Sequence, residues 1–192
     1  MIVGVFGYQG GGALHERALD KAGIARKTVL PDDEPGGFDL LILPGGESSV
    51  QYAYCRRYDL IPRITAFARR GKPLLGTCAG TILLSHIRTK EVEGFGLIDI
   101  DVERNGYGRQ VHSGIKRSDR GRDVMFIRPP KITRAGKGVE ISDSYRGDPV
   151  LVREKNVYCT TFHPELTGID AYRDLILRMY TDCYECASLR SV

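Results

Sequence analysis

Short apolar runs alternate with helical patterns through the first half of this chain. Residues 2–6 read as a strand, and a glycine-rich turn (Gly7, Gly10, Gly11, Gly12) leads into a helix where Leu14, Ala18, Leu19 and Ala22 recur at helical spacing. Residues 26–30 predict a second strand, and 39–43 a third that stops at Pro44-Gly45-Gly46. Helices are predicted over 50–58 and 62–70, then a strand over 73–75 and a helix-like run over 81–85. This alternation predicts an α/β fold, with a parallel sheet covered by helices on both faces. Ligands of such sheets sit off the carboxyl ends of the strands. Three segments lie there: Tyr8-Gln9-Gly10, Gly45-Gly46-Glu47-Ser48, and Cys78.

The second half is more β-like. Residues 97–102 alternate apolar and polar as a half-exposed strand does, and further strands are expected near 110–115, 124–127, 150–154 and 157–161. A closing helix is predicted over 169–184. There is no internal repeat and no linker-like stretch, so residues 1–192 are expected to form one domain.

With 42% hydrophobic and 27% charged residues of mixed sign, the composition is that of a water-soluble globular chain. The net charge of +4 is mild, and its densest basic stretch, 116–128, is interleaved with Asp119 and Asp123. That stretch predicts a solvated loop or a protein-docking surface, and no nucleic-acid footprint. No apolar run approaches the roughly 20 residues of a membrane helix, and residues 1–6 read as a buried strand instead of a signal peptide. Five cysteines, an odd number, predict a reducing cytoplasm. Cys183 and Cys186 lack the second pair that zinc wants, so neither a metal nor a cofactor is expected.

One of those cysteines changes the picture. Gly76-Thr77-Cys78-Ala79-Gly80 places a thiol between an apolar run and a helix, the arrangement of a nucleophile elbow. A cysteine attacks as thiolate, which a helix start and a nearby imidazolium favour. The N–H of Ala79, just after the nucleophile, is placed for an oxyanion hole, and the amide of Gly46, at a strand end, is the candidate second donor. Far along the chain, Phe162-His163-Pro164-Glu165 supplies a base and an acid to orient it. In an extended segment His163 and Glu165 project to one side. His15, His86 and His112 lack such a context and read as structural or surface residues, while Cys55 and Cys159 read as packing residues.

These residues resemble the class I (triad) glutamine amidotransferases. Within that group the chain is similar to the glutaminase subunits of two-component pyridoxal 5′-phosphate synthases. The marks are Leu43-Pro44-Gly45-Gly46-Glu47-Ser48-Ser49, the segment Glu103-Arg104-Asn105-Gly106-Tyr107-Gly108-Arg109-Gln110, Phe126-Ile127-Arg128-Pro129, and Thr161-Phe162-His163-Pro164-Glu165-Leu166. The resemblance implies a three-layer flavodoxin-like fold and a Cys78-His163-Glu165 triad that hydrolyses L-glutamine through a γ-glutamyl thioester. It implies that Gly46, Glu47, Ser48, Arg104, Ile127 and Arg128 bind the glutamine. It also implies a (β/α)₈-barrel synthase subunit as partner, which receives the ammonia, and Gln9 is the candidate for coupling the two. The rival readings are the glutaminase of another synthase, such as imidazole-glycerol-phosphate synthase, and a non-catalytic relic domain. The first would lack the Arg104 to Gln110 segment and the second would lack an intact triad. Dinucleotide binding at the first glycine turn fails on spacing, since Gly7, Gly10 and Gly12 do not make Gly-x-Gly-x-x-Gly.

Overall fold

The computed structural model describes residues 1–8, 10–107 and 113–188, the last four of these by backbone alone. Four runs fully buried along their length form the middle of the molecule: β1 (Val3–Phe6), β3 (Leu40–Leu43), β4 (Leu74–Thr77) and β11 (Val157–Thr160). Strands covered on both faces need apolar side chains at nearly every position, which is why they stand out in the sequence. With β2 (Arg26–Val29), β10 (Asp148–Glu154) and β9 (Glu140–Tyr145) they make a seven-stranded sheet of order β2-β1-β3-β4-β11-β10-β9. The first five strands are parallel, and β10 and β9 extend the sheet antiparallel. The parallel part is the doubly wound order of flavodoxin-like sheets.

Side-chain alternation along β3 sorts the two covering layers. Leu40 and Ile42 join one apolar cluster with α1 (Gly12–Lys21) and α5 (Ile169–Ser188). On α5, Tyr172, Ile176 and Met179 recur at helical spacing and are completely buried. Leu41 and Leu43 face the other way, into a cluster with α2 (Ser48–Arg57), α3 (Leu60–Arg69) and α4 (Ala79–Leu84). All four β3 side chains have zero exposure, so truncating any one to Ala is expected to cost about 2–5 kcal/mol.

Two small ribbons complete the fold. The first pairs β5 (Ile100–Glu103) with β8 (Lys131–Ala135), the second β6 (Gly114–Arg117) with β7 (Asp123–Phe126). The expected strands differ from the observed ones in three places. The strand expected over 97–102 begins only at Ile100, because the amides of Phe95, Gly96 and Leu97 bond to carbonyls of α4 and its end. Neither β8 nor β9 was foreseen: their polar, half-exposed sequences carry little apolar alternation. Of the strand expected over 110–115, residues 110–112 lie outside the described residues, and pairing starts at Gly114. The basic 116–128 stretch forms most of the β6–β7 hairpin and faces solvent in part, with Val124 and Phe126 turned inward.

Candidate active site

Cys78 sits between β4 and α4 with φ 49° and ψ −103°, a conformation unfavourable for any residue with a side chain. Such strain costs about 1–3 kcal/mol and persists only where neighbouring bonds impose it. Here the Cys78 N–H donates to the Thr160 carbonyl at 2.8 Å, and Thr81 Oγ1 lies within reach of the Gly76 and Thr160 carbonyls at 3.0 and 2.7 Å. The flanking glycines serve close packing, since neither has a positive φ. A Cβ at residue 80 would lie 2.0 Å from the Leu43 carbonyl oxygen, and one at residue 76 would lie 2.8 Å from the Gly80 backbone. Two glycines therefore press the start of α4 onto the sheet, and the strained turn aims the thiol into a cleft.

His163 and Glu165 arrive from the end of β11, one strand away. The reading of an extended His-Pro-Glu segment is corrected: Pro164–Leu166 is a turn of 3₁₀ helix, and the pair meets through that turn. His163 Nδ1 lies 2.8 Å from Glu165 Oε1, and the ring packs on bare backbone, where a Cβ at Gly45 would come within 2.4 Å of it. Burial alone would lower the basicity of His163, but hydrogen bonds to Cys78 and Glu165, and their negative charge, raise it to about 10. Burial also opposes the charge on Glu165, yet His15 and His163 outweigh it and hold the carboxyl below its usual range. Cys55 and Cys159, by contrast, are driven up to about 12 by burial and stay thiols.

The cleft above the thiol has a volume of about 290 Å³. Its walls include Gly46, Glu47, Ser48, Ala79, Arg104, Ile127, Arg128 and His163, so the residues expected to bind substrate come together around Cys78. The Gly45 carbonyl accepts from the Gly11 N–H at 2.8 Å and from Gln51 Nε2 at 3.1 Å. A trans peptide sets N–H opposite C=O, so these bonds also fix the direction of the Gly46 N–H. At the mouth, Arg104 Nη2 donates to Glu47 Oε1 at 2.8 Å and Nη1 to Glu91 Oε2 at 3.1 Å. Arg128 has φ 45° and its N–H donates to Ser113 Oγ at 3.3 Å, while the Ile127 carbonyl lies 3.8 Å from Cys78 Sγ. Gln9, Gly108, Arg109, Gln110 and His112 lie outside the described residues. A larger depression of about 1110 Å³ opens at the other end of the sheet, by Lys72 and Asn156, and contains none of the triad groups.

A profile of the SNO glutamine amidotransferase family matches residues 5–181. The chain belongs to that family. It is 42% identical over 187 residues to the pyridoxal 5′-phosphate synthase subunit PdxT of Thermotoga petrophila, covering 94% of this chain and 97% of that one. The protein of the same name from Geobacillus kaustophilus is 38% identical over 200 residues, covering 99% of this chain and 100% of that one. A crystal structure of a glutamine amidotransferase superposes with a TM-score of 0.84 at 35% identity, over 95% of this chain and 98% of that chain.

This glutamine amidotransferase holds a buried histidine against the carboxylate of Glu165. His15, expected to be structural or surface, is completely buried on α1, and its Nε2 lies 3.2 Å from Glu165 Oε2. The periodicity of α1 hid it, because Leu14, counted to the buried face, is only half-buried and lines the cleft. His86 is exposed, 3.8 Å from Asp99, as expected of a surface histidine. Among the described residues no cluster of His, Cys, Asp and Glu could hold a metal ion, and no helix is long and apolar enough to cross a membrane.

Proposed function

We propose that this chain, as a single glutaminase domain over residues 1–192, hydrolyses L-glutamine and hands the ammonia to the (β/α)₈-barrel subunit of a pyridoxal 5′-phosphate synthase, in the cytoplasm. The observation that carries the reading is the Cys78-His163-Glu165 constellation at the floor of a cleft sized for an amino acid. Relatives named as pyridoxal 5′-phosphate synthase subunits, at about 40% identity over nearly the whole chain, support the choice of synthase.

The Cys78 thiolate bonds to the side-chain carbonyl carbon of glutamine, and the resulting oxyanion faces the N–H groups of Ala79 and Gly46. Collapse breaks the C–N bond as His163 gives its proton to the departing amine, leaving ammonia and a γ-glutamyl thioester. Water then gives a proton to His163 and adds to the thioester carbon, and a second collapse expels the thiolate and frees glutamate. Glu165 keeps the imidazole oriented through both steps. Arg104 and Arg128 suit the α-carboxylate, Glu47 the α-amine, and Ser48 with Ile127 shape the walls. Gln9 remains the candidate for coupling hydrolysis to partner docking.

Glutamate release from L-glutamine, measured for this chain alone and with its barrel partner, tests the reading. Strong stimulation by the partner is the expected result. Equal rates in both would retain the triad chemistry and remove the partner assignment.

A further inference from the structure

Glu165 has two carboxylate oxygens, and the triad uses one. Oε1 takes His163. Oε2 is buried without a well-aligned hydrogen bond among the described residues, and the imidazole Nε2 of His15 stands 3.2 Å from it. The same Nε2 lies 3.1 Å from Oγ1 of Thr77, the residue that precedes the nucleophile, and Nδ1 lies 2.8 Å from the hydroxyl of Tyr172 on α5. A carboxylate only accepts, so Nε2 must carry the proton; in the neutral ring Nδ1 then accepts from the Tyr172 hydroxyl. Burial keeps this ring neutral, lowering its titration to about 4 against the pull of Glu165.

We propose, resting on the glutaminase reading above, that His15 is a positioning residue of this site: anchored by Tyr172, it holds the second oxygen of Glu165 and ties the triad carboxylate to the strand end that carries Cys78. The relay Tyr172, His15, Glu165, His163, Cys78 thus crosses the molecule from α5 to the cleft. His15 does not line the cleft and does not meet substrate, so it acts only through Glu165. A carboxylate held at both oxygens has one orientation, and the imidazole it orients has one too. Without His15, Oε2 loses the imidazole nitrogen that stands 3.2 Å from it, which disfavours the charged form of Glu165. The ionisable groups facing that carboxylate are His15 from α1, Tyr172 from α5 and His163 beside it. Loss of the His15 titration, about 4, would move an acid limb to lower pH, so a limb that moves to higher pH on removing His15 reports Glu165.

The test compares wild type, His15→Leu, His15→Gln and Tyr172→Phe, each in complex with the barrel partner, by glutamate release across pH. His15→Leu is expected to lower kcat about tenfold with KM unchanged, the factor set by losing one close polar contact to a buried charge. Its acid limb should move to higher pH by up to about one unit. His15→Gln, which restores a donor, should recover part of the rate. Tyr172→Phe removes a single hydroxyl and should lower kcat about threefold; it settles the matter if His15→Leu fails to fold. Wild-type kcat and an unmoved acid limb in folded His15→Leu, or in Tyr172→Phe where the former does not fold, would overturn the proposal. An inactive wild-type complex would instead remove the glutaminase reading itself.

Discussion

The floor and the mouth of the cleft are built on different principles. At the floor, Cys78, His163 and Glu165 are at most 7% exposed and held by bonds that converge from the ends of β4 and β11. At the mouth, Glu47, Arg104 and Arg128 sit on loops, and the contacts of Arg104 are ion pairs with half-exposed carboxylates. Buried, converging bonds fix a geometry before substrate arrives, whereas exposed ion pairs contribute little and exchange readily. The difference teaches where to look for each kinetic effect: changes at the floor should act on kcat, changes at the mouth on KM.

The largest effect belongs to the floor. Cys78→Ala removes the proposed nucleophile, so glutamine-dependent turnover of the complex should fall at least about 10³-fold, while free ammonium still feeds the synthase partner. If both nitrogen sources failed equally, the division between a glutamine-hydrolysing and an ammonia-using subunit would be wrong. At the mouth, Arg104→Ala should raise KM for glutamine about tenfold or more, the loss expected for a charge-assisted grip on the α-carboxylate, with kcat within about threefold of wild type. A collapse of kcat at unchanged KM would place Arg104 with the floor.

The floor also has a pH signature, because the two histidines on Glu165 are shifted in opposite directions. His163 is raised from 6.5 to about 10, so the folded state binds more protons than the unfolded one between those values, and stability present at 6.5 is lost as pH rises towards 10. His15 is lowered from 6.5 to about 4, so there the unfolded state binds more protons, and stability is lost as pH falls from 6.5 towards 4. Thermal melts across pH should show His163→Gln flattening the alkaline limb relative to wild type and His15→Gln flattening the acid limb. Parallel curves for wild type and either variant would show that the charge states are not those drawn here.

The same contrast explains what was legible in the sequence. The strands that carry the site are continuous apolar runs because both their faces are covered, and the residues they deliver follow at their carboxyl ends. Cys78, His163 and Glu165 are therefore legible from local motifs, whereas Arg104, Ile127 and Arg128 come only from the family resemblance. The edge strands β8 and β9 are not legible, since a half-solvated edge with polar residues on both faces leaves no clear period. The contact between His15 and Glu165 is illegible for another reason. The other partners of His15 lie 62 and 157 residues away in sequence, at Thr77 and Tyr172, and no spacing rule links a helix face to a distant carboxylate. The pairing of Arg104 with Glu47, 57 residues apart, was hidden in the same way.

The smallest effect sharpens the comparison at the mouth. Glu47 and Glu91 each occupy one nitrogen of Arg104, on Nη2 and Nη1. A bidentate grip on an α-carboxylate needs two N–H groups from that fork, so at least one carboxylate must yield when glutamine binds. Glu91 is the more exposed of the two, at 63% against 48%, and unlike Glu47 it does not line the cleft. It is the one expected to be displaced. Glu91→Gln weakens that competitor while Glu47 still orients the guanidinium, so KM for glutamine should fall about two- to threefold at unchanged kcat, the scale of one exposed ion pair, and the gain should shrink at high salt. A rise in KM would mean that Glu91 holds Arg104 in its binding geometry, and that the mouth is preset in the same manner as the floor.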